Sequence, residues 1–115
     1  MESTHYEFSR RCGAWLVLAG SKKSRYGFNH VAEITGPDGF RRVEKIHYQY
    51  RTWEAYRFQN ILKLAVWHAM ESEAAKAVDA WKVRHGKRRA APGLRAGFFR
   101  EVNAANGLKA LYESL

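Results

Sequence analysis

Apolar residues in the first half of the chain occur in short runs or alternate with polar ones, whereas those in the second half recur every three or four positions. Alternation is typical of strands that bury one face, and a spacing of three to four is typical of helices. The pattern therefore predicts a single α+β domain over residues 1–115, with a small antiparallel three-stranded sheet followed by two or three packed helices.

The first predicted strand is the apolar run "GAWLVLAG", residues 13–20, which glycine bounds at both ends. Upstream, "THYEFSR" alternates, and it either extends this strand or pairs as another one. The polar segment "SKKSRYG", residues 21–27, is predicted to be a loop. The sheet is expected to occupy residues 1–50.

A hairpin follows, because "FNHVAEIT" and "FRRVEKIHYQY" flank the turn "GPDG", residues 36–39. Proline presets its own φ in such a turn, aspartate bonds locally, and glycine tolerates positive φ. Alternation places one set of side chains of the second strand on a common face: Arg41, Val43, Lys45, His47 and Gln49. His30 and His47 are candidates for a cross-strand pair.

Residues 52–85 are predicted to be helical, with Thr52 as the N-cap and Gly86 as the stop. Ser72 could cap a second helix, so the sequence leaves open whether this region forms one helix or two. Residues 86–93 form a predicted basic loop. Residues 94–115 resume as a helical segment that is interrupted near Asn106 and Gly107.

The net charge of the chain indicates which classes of binding partner to expect. Lys and Arg number 20 against 11 Asp and Glu, which gives a net charge of +9 and an isoelectric point near 10.0. This excess favours a polyanion, chiefly nucleic acid, or an acidic protein surface. It concentrates between Lys82 and Arg100, a stretch without any acid, which is either a phosphate-contacting patch or a solvated linker.

The segments "VAEITGPDGFRRV" and "YRTWEAYRF" carry a resemblance that covers residues 27–58, about a third of the chain. Strand, turn, Arg-rich strand and helix follow one another as in the APETALA-type or ethylene-response-type DNA-binding domain and the arm-binding domains of phage integrases. The resemblance implies a three-stranded sheet that enters the major groove of DNA. It implicates the cations Arg25, Arg41, Arg42 and Lys45 as DNA contacts.

Catalysis and cofactors are not expected. The five His are dispersed, no metal-ligand spacing occurs, and the acids are isolated among cations. The single Cys12 cannot form an intramolecular disulfide, and no signal peptide or membrane-spanning run is evident, so a cytoplasmic protein is expected.

The leading interpretation is a non-catalytic nucleic-acid-binding protein that contacts phosphates through cationic side chains: Arg25, Arg41, Arg42, Lys45, Lys82, Arg84, Lys87, Arg88, Arg89 and Arg95. The alternative is a small interaction module or inhibitor, of the anti-defence or anti-CRISPR kind encoded by phages and mobile elements. Such a module would bind a nucleic-acid-handling protein, with Trp67 or Trp81 exposed on a helix face. A homodimer is compatible with both.

Overall fold

The computed structural model of the protein describes residues 5–48, 55–86 and 92–115. Four strands come first and three α-helices follow, which confirms the α+β class and the predicted order of sheet and helices. The elements are β1 (His5–Cys12), β2 (Trp15–Ser24), β3 (Gly27–Thr35), β4 (Arg41–Tyr48), α1 (Ala55–His85), α2 (Leu94–Ala105) and α3 (Leu108–Ser114).

The sheet has four strands rather than the predicted three, because the alternating N-terminal segment pairs as a strand of its own, which was the second of the two alternatives for that segment. β1 lies antiparallel to β2 across a tight turn in which Gly13 adopts a φ of 59°. The predicted loop at residues 21–27 was also wrong. Ser21–Ser24 completes β2 and only Arg25 and Tyr26 form the turn, because backbone pairing with β3 continues through these polar residues.

The four strands form an antiparallel meander in the order β1-β2-β3-β4. One face of this sheet is covered, since α1 packs against β2, β3 and β4, and α3 packs against β1. The hydrophobic core lies between this covered face and the helices. Its most buried side chains include Trp15, Val17, Ile34, Ile61, Val66, Leu108 and Leu111.

The predicted GPDG turn is confirmed as a short 3-10 turn, Pro37–Gly39, between β3 and β4. Gly36 precedes it and lies directly against the Trp15 ring: a Cβ at this position would come within 2.3 Å of a ring carbon. Trp15 also makes an edge-to-face contact with Phe40, with the ring centroids 5.4 Å apart. The turn therefore closes one end of the core.

α1 is one continuous helix of 31 residues, so Ser72 lies inside it and caps nothing. At 1.5 Å per residue the helix is about 46 Å long. Gly86 ends it with a φ of 60°, as predicted, and the predicted cap at Thr52 lies outside the described residues. The last turns of α1 extend beyond the core, where Lys82, Val83 and Arg84 are exposed.

The C-terminal segment is divided into α2 and α3 at Asn106 and Gly107, as predicted. α2 packs against α1 and α3. Asn103 of α2 is fully buried, and its amide nitrogen donates to the carbonyl oxygens of Met70 in α1, at 3.1 Å, and Phe99, at 2.8 Å. A polar side chain thus joins the two helices. None of the described helices is both long and apolar enough to cross a bilayer.

Candidate nucleic-acid interface

The helices pack on one face of the sheet, and strand register assigns the side chains of the opposite, outer face. Residues directly paired across neighbouring strands share a face, so four rows can be read from the register. They are Arg11–Leu16–Thr35–Arg41, Ser9–Leu18–Glu33–Val43, Tyr6–Gly20–Val31–Lys45, and Lys22–Asn29–His47.

Four cations lie on this outer face: Arg11, Lys22, Arg41 and Lys45. Arg11, Arg41 and Lys45 are exposed, and Lys22 is half-buried. In the rows given by the register, Glu33 is the single acid. The outer face is therefore positively charged, as expected for a surface that meets phosphates.

Glu33 is already engaged. Its carboxylate accepts a hydrogen bond from the Tyr6 hydroxyl, at 2.8 Å, and forms an ion pair with the Arg41 guanidinium. In the register Tyr6 pairs with Gly20 and Gly20 with Val31, whereas Glu33 pairs with Leu18, so the tyrosine reaches Glu33 diagonally across β2. The side chain of Glu33 is 13% exposed. Burial acts to raise the pKa of Glu33, but the hydrogen bonds from Arg41 and Tyr6 and the charge of Arg41 together hold this pKa below its ordinary value.

A depression of about 180 Å³ lies beside this carboxylate on the outer face. Its floor includes Val31, which is 5% exposed although it faces away from the helices. The lining residues are Tyr6, Lys22, Asn29, Val31, Glu33, Arg41, Val43 and Lys45. Sequence reasoning missed Lys22 as part of this site, because it assigned residues 21–27 to a loop.

The predicted pairing of His30 with His47 was wrong. His47 lies opposite Asn29, and its Nδ1 is 3.1 Å from the Asn29 Oδ1 atom and 3.5 Å from the Ser24 hydroxyl. His30 lies opposite Ile46 and is buried on the covered face. A shift of one residue in register therefore places the two imidazoles on opposite sides of the sheet.

The structure brings only part of the predicted hairpin site together. Arg41 and Lys45 share the outer face, as alternation predicted. Arg42 lies on the other side, where its Nε donates to the Glu44 carboxylate at 2.9 Å. Arg25 sits in the β2–β3 turn with its guanidinium 5.2 Å from the Tyr26 ring centroid. Along the strands, this turn is about 26 Å from Arg41.

The remaining predicted cations lie in the C-terminal half. Lys82 and Arg84 are exposed near the end of α1, and Arg95 is exposed on α2. Lys87, Arg88 and Arg89 lie outside the described residues. Lys82 and Arg84 follow the last residues of α1 that pack in the core, so they form a basic helix end separate from the outer face of the sheet.

A second surface feature is an apolar groove of about 900 Å³ between α1 and α2. Trp67 is 41% exposed there, with its ring centroid 4.9 Å from Phe99 and 5.8 Å from Tyr112. Arg95 and Arg100 line the groove together with Glu71. Trp81 is half-buried and stacks on His85 at 4.5 Å.

Across residues 5–48, 55–86 and 92–115, no group of three or more His, Cys, Asp and Glu side chains is placed to hold a metal ion. Some of the described histidines contact acidic or polar side chains. His68, for example, has its Nε2 3.7 Å from Glu44 and its Nδ1 3.9 Å from Glu71, and it links β4 to α1.

The fold and this outer face define a small α+β protein with a basic sheet surface. The chain matches no protein-family model, and comparisons with curated proteins and with solved structures give no match. The function must therefore be argued from the chemistry of its surfaces.

Proposed function

We propose that this protein binds nucleic acid without catalysing a reaction, and that the outer face of its sheet contacts the phosphates. The observation that carries the proposal is the arrangement of that face. Cations from three of the four strands, β1, β2 and β4, lie on the uncovered side, and the one acid in the paired rows, Glu33 of β3, is held by Arg41 and Tyr6. A net charge of +9 supplies the long-range attraction.

The dimensions of the sheet favour contact with the phosphate backbone over insertion into a groove. Three spacings of about 4.8 Å separate the axes of the outermost strands by about 14 Å, whereas the major groove is about 12 Å wide. The four-stranded face fits across the backbone more readily than inside the groove. We therefore propose binding that positions the protein on phosphates with little base readout.

The basic helix end extends the same proposal. Lys82 and Arg84 project on α1 beyond the core, and Lys87, Arg88 and Arg89 follow them in the sequence. A cationic arm of this kind would add phosphate contacts beside those of the sheet, and each contact would release bound counterions.

The test is binding of the purified protein to labelled duplex and single-stranded DNA and RNA across a salt series, followed by fluorescence anisotropy. The logarithm of the binding constant should fall linearly with the logarithm of the salt concentration, by about 0.9 per phosphate contact on duplex DNA and about 0.7 on single strands. Binding that does not respond to salt, or no binding at low salt, would overturn the proposal.

Two double variants with the same loss of charge locate the contacts. Arg11→Gln/Arg41→Gln removes two cations from the outer face, whereas Lys76→Gln/Lys109→Gln removes two from the helices. The first should weaken binding and reduce the salt slope by up to about 1.8 on duplex DNA, and the second should change both much less. Equal losses in the two variants would show that total charge, rather than this face, drives binding.

A second candidate function is supported by the groove at Trp67. Exposed Trp beside Arg is the composition of interface hot spots, and both Arg95 and Arg100 line this apolar groove. The chain would then act as an interaction module or inhibitor, with an acidic or nucleic-acid-handling protein as its partner. Phage and mobile-element inhibitors of defence systems are proteins of this kind.

The two functions are separated by treating a complex with nuclease before recovery from cells. A partner protein held through the groove should remain bound after nuclease treatment and be lost in Trp67→Ala, whereas Arg11→Gln/Arg41→Gln should retain it. A protein recovered only in the absence of nuclease would be bridged by nucleic acid, and it would support the first proposal.

A further inference from the structure

Two of the three cations that line the depression on the outer face are not neutralised by an acid among the described residues. Lys22 and Lys45 both line it, and within the described part of the chain neither ammonium group forms an ion pair. Arg41, the third cation of the lining, is paired with Glu33. The depression therefore presents two uncompensated positive charges around a buried valine, Val31.

Asn29 adds a neutral donor between these lysines. Its Oδ1 atom lies 3.1 Å from the His47 Nδ1 atom, where it can accept a hydrogen bond from a protonated ring nitrogen. This contact turns the other end of the amide, the Nδ2 amino group, away from His47. Among the described residues this amino group has no hydrogen-bond partner, and Asn29 itself lines the depression. It is available to donate to a ligand.

The size of the depression fits a small oxyanion. Its volume of about 180 Å³ is below the ~300–1,000 Å³ of pockets that enclose whole drug-sized ligands. Two ammonium groups and an amide amino group are donors, and tetrahedral phosphate presents acceptor oxygens in several directions. A phosphate group matches both the size and the donors.

We propose that this depression binds the terminal phosphate of a nucleic acid strand, through Lys22, Lys45 and the Asn29 amide. This inference rests on the proposed function and gives it an end preference. A terminal phosphate monoester carries a charge of about −1.5 to −2 at pH 7, which matches two free ammonium groups, whereas a backbone diester carries −1.

The position of Glu33 gives a second reason to expect that the depression binds the end of a strand rather than an internal phosphate. A strand bound by an internal phosphate must leave the depression in two directions, and the Glu33 carboxylate lies on one side of Lys45 and Asn29. On that side the charge of Arg41 is already balanced by Glu33, so phosphates leaving there would be attracted less than phosphates leaving towards Lys22. A terminal phosphate needs one exit only, towards Lys22 and His47 at the opposite end of the face.

The experiment compares short single-stranded oligonucleotides that differ only in a 5′-phosphate, a 3′-phosphate or hydroxyl at both ends. With the label at the other end, anisotropy at one ionic strength should show about tenfold tighter binding of one phosphorylated form, as one additional charge-assisted contact would give. Lys22→Gln/Lys45→Gln should abolish this preference. Lys76→Gln/Lys109→Gln, which loses the same charge on the helices, should keep it.

Inorganic phosphate distinguishes the source of the phosphate. The side-chain amide resonance of Asn29 in an NMR spectrum should shift with the phosphorylated oligonucleotide at concentrations where inorganic phosphate has little effect. If free phosphate binds as tightly as the phosphorylated strand, the ligand is a free phosphate and the proposal of a strand end is wrong. Circular dichroism melting curves of both double variants verify that they fold.

Three further outcomes overturn the inference: no effect of end phosphorylation on the wild-type protein, the same loss of preference in both double variants, or an Asn29 resonance that does not respond. In each case, salt-dependent binding of the hydroxyl-ended strand would leave the proposed function standing. Failure of the hydroxyl-ended strand to bind even at low salt would instead count against the proposed function itself.

Discussion

At the scale of single residues, Gly36 is fixed by the packing of the Trp15 ring rather than by its backbone angle. Its φ of −149° is extended backbone that other residues adopt, but a Cβ would lie 2.3 Å from the ring. Trp15 is 1% exposed and is surrounded by core residues, so the ring cannot move aside without disturbing them.

We therefore expect Gly36→Ala to lower the free energy of unfolding by about 3 kcal/mol, the upper part of the range for overpacked cores. Gly97→Ala is the matched control, because nothing lies within 4 Å of a Cβ there and Gly97 is inside α2. It should raise stability by about 0.5–1 kcal/mol. Urea unfolding of both variants checks these values, and a neutral Gly36→Ala would contradict the packing argument.

Glu33 makes stability depend on pH. Its pKa in the folded protein is below the ordinary value of 4.5, because the hydrogen bonds and the charge of Arg41 outweigh the opposing effect of burial. As the pH falls, the unfolded chain therefore takes up this proton first. The stabilisation is fully present above the ordinary pKa and is lost as the pH falls through the lower, folded-state pKa.

The free energy of unfolding of the wild-type protein should accordingly exceed that of Glu33→Gln at pH 7, with the difference shrinking as the pH falls below 4.5. Tyr6→Phe removes one of the two hydrogen-bond donors and should give a smaller pH-dependent difference. Urea unfolding at several pH values measures it. A difference that grows in acid would contradict the assignment.

The residues of the outer face show which part of the site the sequence could predict. Strand side chains alternate strictly, so the common face of Arg41, Lys45 and His47 followed once a strand was recognised. Lys22 was missed because "SKKS" has no apolar alternation. It is held in a strand by backbone pairing with β3, and pairing across strands leaves no signal in a single segment.

At the scale of elements, α2 is attached to α1 by the buried amide of Asn103 and by the contact of Trp67 with Phe99. Replacing Asn103 with Leu keeps the volume but removes two hydrogen bonds, which we expect to cost about 1–2 kcal/mol. Replacing it with Asp should cost more at pH 7, because a charged carboxylate would face the two carbonyl oxygens that now accept from the amide.

Hydrogen exchange in α2 and urea unfolding together measure this effect, and α2 amides should exchange faster in both variants. Asn60→Asp is the control, since Asn60 is exposed on α1. If Asn103→Asp were as stable as Asn103→Leu, the carbonyls of Met70 and Phe99 would not determine which side chains are tolerated at position 103.

The sequence predicted which segments are helical more accurately than whether each helix is continuous. Glycines at positions 86 and 107 marked real helix boundaries, because both adopt positive φ there. Ser72 offered an equally good local cap signal, but burial of Ala69, Met70 and Ala74 on one face continues the helix through it. The groove joins Trp67 to Phe99 and Arg95, which are distant in sequence, and no local pattern could show that.

At the scale of the whole molecule, the protein is elongated. Its extents are 52 × 25 × 25 Å and its radius of gyration is 16.7 Å. A compact domain of this length would have a radius of gyration of about 13 Å. α1 accounts for the difference, since its C-terminal turns project beyond the sheet and carry the basic helix end.

If sheet and helix end bind one duplex, the long axis should set the footprint. At 3.4 Å per base pair, 52 Å corresponds to about 15 base pairs. Affinity should therefore rise with duplex length to about that value and level off beyond it, after correction for the number of overlapping positions. A series of duplexes between about 8 and 24 base pairs tests this. A plateau at the shortest lengths would restrict contact to a single surface.

The order of strands also has a consequence for synthesis on the ribosome. Each strand pairs only with its neighbour in the chain, so the sheet can be complete when Tyr48 has emerged. The sheet face that carries Trp15, Val17 and Ile34 then stays uncovered until the 31 residues of α1 have been synthesised. At about 5–20 residues per second, translation leaves this apolar face uncovered for a few seconds. The nascent chain is then most exposed to aggregation, and a chaperone would act during that interval.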